Sequence, residues 1–422
     1  MEADGDRIAK LKELTGLMTA REVFQEAAGE HQRIAAGEFE IERMVPGQVV
    51  KNDLGAFFLV TSEFPITDVH GDTSMLTAQQ IRGDAVAVIS NDERLREFRL
   101  DRAVFLDTET TGLAGGTGTY AFLVGVGRFE HGNFVLRQYF MRDYDEELPM
   151  LVPLAELFRD ADGVVTYNGK AFDIPLLQTR FVTARVRIDL EEVPHLDLLH
   201  VARRLWRARL RDCSLSNVER EVLGVKRCGD IPSYLIPKVY FDYLRSRDAR
   251  RLKAVFYHNE QDILSLVGVA SHAAQLATAP PDCVEAHPLD LLSLARLHFK
   301  QRRYRRSERH ASDAYDLGLD ADAARSALYL LALSLKRQRR WHDAHAAWCR
   351  LAAHWADDIA PRVEMAKHLE HREGDLPKAR TVCEQAIEVA ANLEPGQARI
   401  EELNYRLARI ERKLRLHRLT DR

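Results

Sequence analysis

Apolar residues along this 422-residue chain follow two periods. Near the start, Ile8, Leu11, Leu14, Leu17 and Met18 recur at helical spacing, as do Val23 and Phe24. They predict helix to about residue 36. Val49-Val50 and Phe57-Phe58-Leu59-Val60, near the turn pairs Pro46-Gly47 and Asn52-Asp53, predict short strands. From Leu100 the signal alternates. Residues 103–107, 119–129 and 134–140 read as three consecutive strands, the last two separated by His131-Gly132-Asn133. A helix over Leu148–Phe158, a strand over 163–168 and a helix over Ile174–Val182 follow, and a last helix runs from about Ala249 to His272. Three leading strands and then helix–strand–helix units predict a mixed sheet flanked by helices.

Beyond Asp290 the strand period disappears and the sequence repeats itself. Tyr304, Trp341 and Leu376 align at spacings of 37 and 35 residues, with Ser307, Ala344 and Ala379 in step behind them. Each unit carries a small residue in its first helix: Ala295, Ala332 and Ala366. A period near 34 with small residues at fixed places resembles tetratricopeptide repeats, and a plain helical bundle is the alternative. Pro280-Pro281-Asp282 punctuates the junction. The divisions are therefore 1–99, an N-terminal accessory segment; 100–276, an α/β domain; 277–289, a linker; and 290–422, an all-α helical-repeat domain.

Composition adds exclusions. Apolar residues make up 46% and charged residues 29%, an ordinary globular balance. The longest uncharged apolar run, Ala327–Leu335, falls short of a membrane span, and MEADGDRIAK has no apolar signal core. A cytoplasmic protein is expected. The five cysteines, Cys213, Cys228, Cys283, Cys349 and Cys383, form no CxxC pair, which argues for reduced core thiols. From Cys283 onward there are 26 basic against 21 acidic side chains, net +5; the rest has 34 against 43, net −9. Polyanion binding by the acidic part must rest on local patches or bound cations.

Three elements carry candidate chemistry. Asp107 and Glu109 alternate in the first strand of the α/β region, so both point to one face at the end of an apolar run. Two carboxylates so placed repel unless a cation sits between them. Asp173 opens the helix after Asn168-Gly169-Lys170-Ala171-Phe172, either as a site residue or as an acid favoured by the helix dipole. His258 and Asp262, four apart, share a face of the last helix, either as chemistry or as a surface pair. The loop Gly112–Thr119 is glycine-rich but lacks the Gly-Lys-Ser/Thr ending of a phosphate loop.

In this order, D-x-E-T-T-G, N-x-x-x-F-D and an acid preceded closely by His or Tyr resemble the DEDD exonucleases, which have a ribonuclease-H-like fold. The closer resemblance is to the YprB-type ribonuclease-H-like family. That likeness is carried by FLDTETTGLAGGTGTYAFLVGVG (105–127), YNGKAFDIPLL (167–177), HLDLLHVARRLW (195–206), CSLSNVEREVLGV (213–225), GDIPSYLIP (229–237), YFDYLRSRD (240–248) and HNEQDILSL (258–266). The resemblance implies an α/β ribonuclease-H-like domain. It also implies metal-dependent 3′–5′ exonuclease activity on a nucleic acid, DNA or RNA, at a single-stranded 3′ end. Asp107, Glu109, Asp173 and Asp262 match the four carboxylates that would hold two divalent ions, Mg²⁺ or Mn²⁺. The superfamily places Tyr four residues before the last acid, or His five before it. Here His258 is four before and Tyr257 five before. His258 is thus the expected general base, with Tyr257 as the alternative.

The resemblance also sets Thr110, Thr111 and Gly112 beside the terminal nucleotide and gives Asn168 a positioning role. Lys170 is either a phosphate contact or a solvated lysine. Asp197 is a helix cap or a further acid. The arginines of 203–211, interleaved with Trp206, favour a nucleic-acid contact. The stretches 300–309 and 336–340 read as solvated helix faces. Two alternatives stay open: structure-selective endonuclease cutting on the same site, or a scaffold whose repeats dock a protein partner beside a slow or inactive nuclease domain.

Overall fold

Alternating apolar positions within 48–65 and 104–140 build one sheet rather than two. The computed structural model describes residues 39–112, 118–278, 286–391 and 397–420. The helical pattern read over residues 1–36, most of the glycine-rich loop, Cys283 and the Pro280-Pro281-Asp282 junction lie outside them. The chain divides into two units, Met1–Arg203 with Asp212–Ala279, and Arg204–Arg211 with Pro280–Arg422.

In the first unit the strands are β1 (Gln48–Asn52), β2 (Gly55–Pro65), β3 (Val69–His70), β4 (Thr73–Ser74), β5 (Val104–Thr110), β6 (Ala121–Glu130), β7 (Asn133–Phe140), β8 (Val164–Thr166) and β9 (His195–Asp197). Seven of them pair in the order β1-β2-β7-β6-β5-β8-β9, while β3 and β4 form a separate ladder. β5, β8 and β9 run parallel; the other pairings in the sheet are antiparallel. β2 lies along the whole of β7, Phe58 opposite Phe140 and Pro65 opposite Asn133. The strands expected near 49–60 therefore belong to the same sheet as the α/β region, and Phe57, Phe58 and Val60 are buried in its core.

Among the described residues, the helices of this unit longer than five residues are α1 (Met75–Gln80), α2 (Gly83–Ser90), α3 (Glu147–Arg159), α4 (Asp173–Thr183), α5 (Leu198–Leu205, whose last two residues belong to the other unit), α6 (Ile236–Ser246) and α7 (Leu252–Thr278). α7 packs on β5, β6 and β7. Its Phe256 meets the Phe140 ring at 5.3 Å between centroids, which fixes the helix over the sheet. Parallel strands β5, β8 and β9 all end at the same edge. That edge is where loops and helix starts gather side chains in sheets of this kind.

The second unit is all helical: α8 (Pro288–Lys300), α9 (Tyr304–Asp316), α10 (Ala321–Arg337), α11 (Trp341–His354), α12 (Ile359–His368), α13 (Leu376–Ala391) and α14 (Gln397–Thr420). Each packs on the next. The repeat positions have a structural meaning: Tyr304, Trp341 and Leu376 are the first residues of α9, α11 and α13. The small residues in step with them, Ser307, Ala344 and Ala379, are buried where helices cross, as are Ala295, Ala332 and Ala366. Asp320 and Asp358 accept the N–H groups of Ala323 and Ala360 and so cap α10 and α12.

Two expectations are corrected here. Trp206 is fully buried, with Leu205 and Leu210, and Arg209 bridges Asp290 at 3.1 Å. The indole therefore offers no face to a base, while the arginines Arg203, Arg207 and Arg211 stay exposed. Nor are all the thiols in the core: Cys213 and Cys383 are buried and Cys349 is half-buried, but Cys228 is exposed. Among the described residues no helix is long and apolar enough to cross a membrane.

Candidate active site

Val104, Phe105 and Leu106 fill the core and carry β5 to the sheet edge, where Asp107 and Glu109 emerge on one face. The β5–β6 register shifts between Glu109 and Thr110. Such irregularity turns the chain out of the ladder beside a site. Asp173 arrives from the first turn of α4, and Thr108 Oγ1 donates to its Oδ1 at 2.5 Å. Asp262 arrives from α7, one turn beyond His258. All four acids line a single cavity of about 890 Å³, together with His258. Three separate elements are thus needed to assemble the group, which explains why no local motif displays it.

The electrostatics are those of crowded acids. Burial first, then Asp262 and Asp173, hold the Asp107 carboxyl well above the usual carboxylate range. Burial and the neighbouring Asp107 do the same to Glu109. Asp173 is pushed up to about 6, chiefly by burial and in spite of the Thr108 hydrogen bond. Each of these groups takes a proton more readily than in water because neighbouring negative charge is close and solvent is not. A multivalent cation relieves the same stress. The donor set is all oxygen, which fits hard divalent ions such as Mg²⁺ or Mn²⁺.

Behind the acids stands a buried polar layer. Asn259 Nδ2 donates to Asp107 Oδ2 at 2.8 Å. Its own amide oxygen accepts from Gln138 Nε2 at 3.0 Å, and Gln138 also donates to the Phe256 carbonyl at 2.8 Å. Arg227 reaches three acids: it donates to Asp262, to Glu219 Oε2 at 2.8 Å and to Asp230 Oδ2 at 3.0 Å. Burial works against the Arg227 charge, but Asp262 and Glu219 outweigh it and hold the guanidinium above its ordinary proton affinity. Asp230 in turn lies 2.8 Å from His258 Nδ1. The other ring nitrogen, Nε2, lies 3.6 Å from Asp262 Oδ2 and 3.2 Å from Ser233 Oγ. Burial tends to raise the Asp230 carboxyl, yet its bonds to His258 and Arg227 bring it below the ordinary value.

The remaining sequence candidates fall into two groups. Thr110, Gly112 and Asn168 line the cavity. Asn168 adopts a left-handed φ of 68°, and Asp197 at the start of α5 accepts the N–H groups of Asn168, Lys170 and Leu199. Asp197 is thus a cap for two segments, as the helix-cap reading expects. Thr111, Lys170 and Tyr257 are not among the cavity's lining residues. Thr111 exchanges hydrogen bonds with the Tyr120 backbone, and the Lys170 side chain is exposed. Among the described residues, a Cβ at Gly112 would meet no atom within 4 Å.

No sequence period singles out Arg227, Asp230 or Gln138, which join Asn259 behind the acids. Asn259 carried a signal, since it is a polar residue between apolar positions of α7. Arg203 also lines the cavity, and Phe172, 53% exposed, stands beside Asp173.

Comparison with known proteins agrees with this architecture. The model of the RNase_H superfamily matches residues 104–274. A curated Bacillus subtilis (strain 168) protein, the uncharacterized protein YprB, is 34% identical over 360 residues, covering 83% of this chain and 84% of that protein. Its match extends beyond the sheet unit into the helical one. The chain belongs to the family of the uncharacterized protein YprB, and its residues 104–274 are of the RNase_H superfamily.

Proposed function

We propose that the chain is a metal-dependent 3′–5′ exonuclease acting on the phosphodiesters of a nucleic acid at a single-stranded 3′ end. Superfamily membership supports a nucleic-acid hydrolase. The observation that carries the finer reading is the convergence of Asp107, Glu109, Asp173 and Asp262 on one cavity that also holds His258. The four acids would hold two divalent ions, Mg²⁺ or Mn²⁺. When bound, such ions supply positive charge against the scissile phosphate and its leaving oxygen.

The chain's own groups do the rest. Asp230, bonded to Nδ1 of His258, fixes the ring so that Nε2 looks toward Asp262 and the cavity. That nitrogen takes a proton from the attacking water, and Asp230 stabilises the imidazolium that results. Arg227 holds Asp230 and Asp262 at a fixed separation through one guanidinium. Arg203 on the cavity wall pairs with a backbone phosphate, and the exposed Phe172 ring offers a stacking face to the terminal base.

Incubation with end-labelled single-stranded and duplex DNA and RNA tests this, in Mg²⁺, Mn²⁺ or chelator. Nucleoside 5′-monophosphates released stepwise from the 3′ end, and only with metal, are expected. Internal fragments as first products would assign endonucleolytic cutting to the same site.

A further inference from the structure

Among the described residues, a compact group of metal-ligating side chains lies in the helical unit, outside the carboxylate centre. His342, His368 and Glu373 each offer one ligand atom, and these atoms all lie within 4.8 Å of one another. His368 Nε2 stands 3.0 Å from Glu373 Oε1, and His342 Nδ1 stands 3.9 Å from the same oxygen. A third imidazole, His345, stacks on His368 with ring centroids 4.5 Å apart. One His345 nitrogen faces Cys349 Sγ at 3.6 Å, while its Nδ1 is buried with no hydrogen-bond partner.

The backbone is shaped to make this group. Glu373 is five residues after His368. In a regular α-helix that offset rotates a side chain by about 140°, away from its predecessor. Here α12 passes at His368 into a turn of π-helix, Leu369–Glu373. A π turn bonds residue i to i+5 and so returns the fifth residue toward the first. Gly374, in the left-handed region at φ 73°, ends it. Such turns are uncommon and gather at functional sites.

We propose that His342, His368 and Glu373 form a second metal site, which takes a borderline transition-metal ion such as Zn²⁺. Two imidazoles and one carboxylate are a zinc donor set, whereas Mg²⁺ and Ca²⁺ favour oxygen alone. His368 is 7% exposed and anchors the site from within; His342, 86% exposed, closes it from solvent. A fourth position is left for water or for another donor.

Zn²⁺ titration of the metal-stripped full-length protein, followed calorimetrically in excess Mg²⁺, tests the site. Asp107→Asn/Asp173→Asn protein serves in parallel to remove the carboxylate centre. Saturable binding of one Zn²⁺ per chain, micromolar or tighter and retained in the double variant, is expected. His342→Ala and Glu373→Gln, both on solvent-accessible side chains, should each weaken it at least tenfold with helix content unchanged. Absence of saturable binding below millimolar Zn²⁺ overturns the proposal. So does an affinity unchanged in both single variants, or lost in the carboxylate variant.

Discussion

Gly125 lies directly against Asn259: a Cβ on Gly125 would stand 2.2 Å from the Asn259 amide oxygen. Gly125 is also the β6 partner of Asp107. The missing side chain therefore lets α7 approach the sheet closely enough for Asn259 to hold the first carboxylate. Gly125→Ala should push Asn259 off Asp107. A loss of about 1–3 kcal/mol in stability is expected from the overpacking, together with at least a tenfold drop in cleavage rate. Gly127→Ala supplies the control. It crowds Phe134 and Ile263 instead. Chemical denaturation and cleavage assays on both should give similar stability losses, with the larger activity loss in Gly125→Ala. Equal activity losses would deny Asn259 its positioning role.

Asp107→Asn and Asp173→Asn are each expected to abolish cleavage while the fold persists, because the charges serve the ions and not the core. Wild-type rates in Mn²⁺ for both variants would remove these residues from the site. Circular dichroism confirms the fold in the same samples.

Much of this arrangement is legible in the sequence, for a physical reason. Asp107 and Glu109 follow the period-2 rule of a strand, and His258 and Asp262 follow the i,i+4 rule of a helix; both are local. Asn259 with Asp107 and Arg227 with Asp262 join residues 152 and 35 apart, and no period announces such pairs. The β2–β7 pairing was hidden in the same way. Two strands were legible, but the register of Phe58 on Phe140 is settled only by packing. The repeat offset was legible because each second helix begins on the aligned residue, Tyr304, Trp341 or Leu376. Trp206 misled because an arginine-rich segment with an aromatic looks alike whether it faces solvent or packs.

Arg227 carries a structural burden beyond the site. Glu219 is buried, and burial raises its carboxyl even though Arg227 and Ser265 bond to it. Removing the guanidinium leaves that acid without its cation. Arg227→Gln should cost about 3–5 kcal/mol, the range for breaking a buried pair on one side. Arg227→Gln/Glu219→Gln should recover part of the stability and little of the activity, since Asp230 and Asp262 still lack their clamp. Urea denaturation midpoints measure the first effect. Full recovery of activity in the double variant would limit Arg227 to a structural role.

The crowded acids make a pH prediction with a definite sign. Asp173 rises from 3.8 to about 6 on folding, so the folded state binds its proton more tightly than the unfolded one. Its stability contribution is therefore greatest at low pH and is lost as pH climbs from about 4 through about 6. At about 1.4 kcal/mol per pKa unit the loss is roughly 3 kcal/mol. In chelator, the melting temperature of wild type should fall over that window relative to Asp173→Asn. Saturating Mn²⁺ should reverse the fall at neutral pH, because metal replaces the lost protons. Parallel melting curves for the two proteins, or no metal effect above pH 6, would contradict this account of the cluster.

His258 and Tyr257 offer the sharpest separation of roles. Adjacent helix residues are turned by about 100° from one another. His258 lines the cavity, with Nε2 3.6 Å from Asp262, whereas Tyr257 is absent from the lining. His258→Ala should therefore lower turnover by roughly 10²–10⁴-fold, the range for loss of a general base. Metal affinity should change little, because the four carboxylates remain. Asp230→Asn keeps the ring but replaces the carboxylate on Nδ1, so an intermediate loss is expected. Tyr257→Phe should stay within a few-fold of wild type. Single-turnover rates with saturating metal measure all three. A severe loss in Tyr257→Phe beside a mild one in His258→Ala would move the role to the tyrosine.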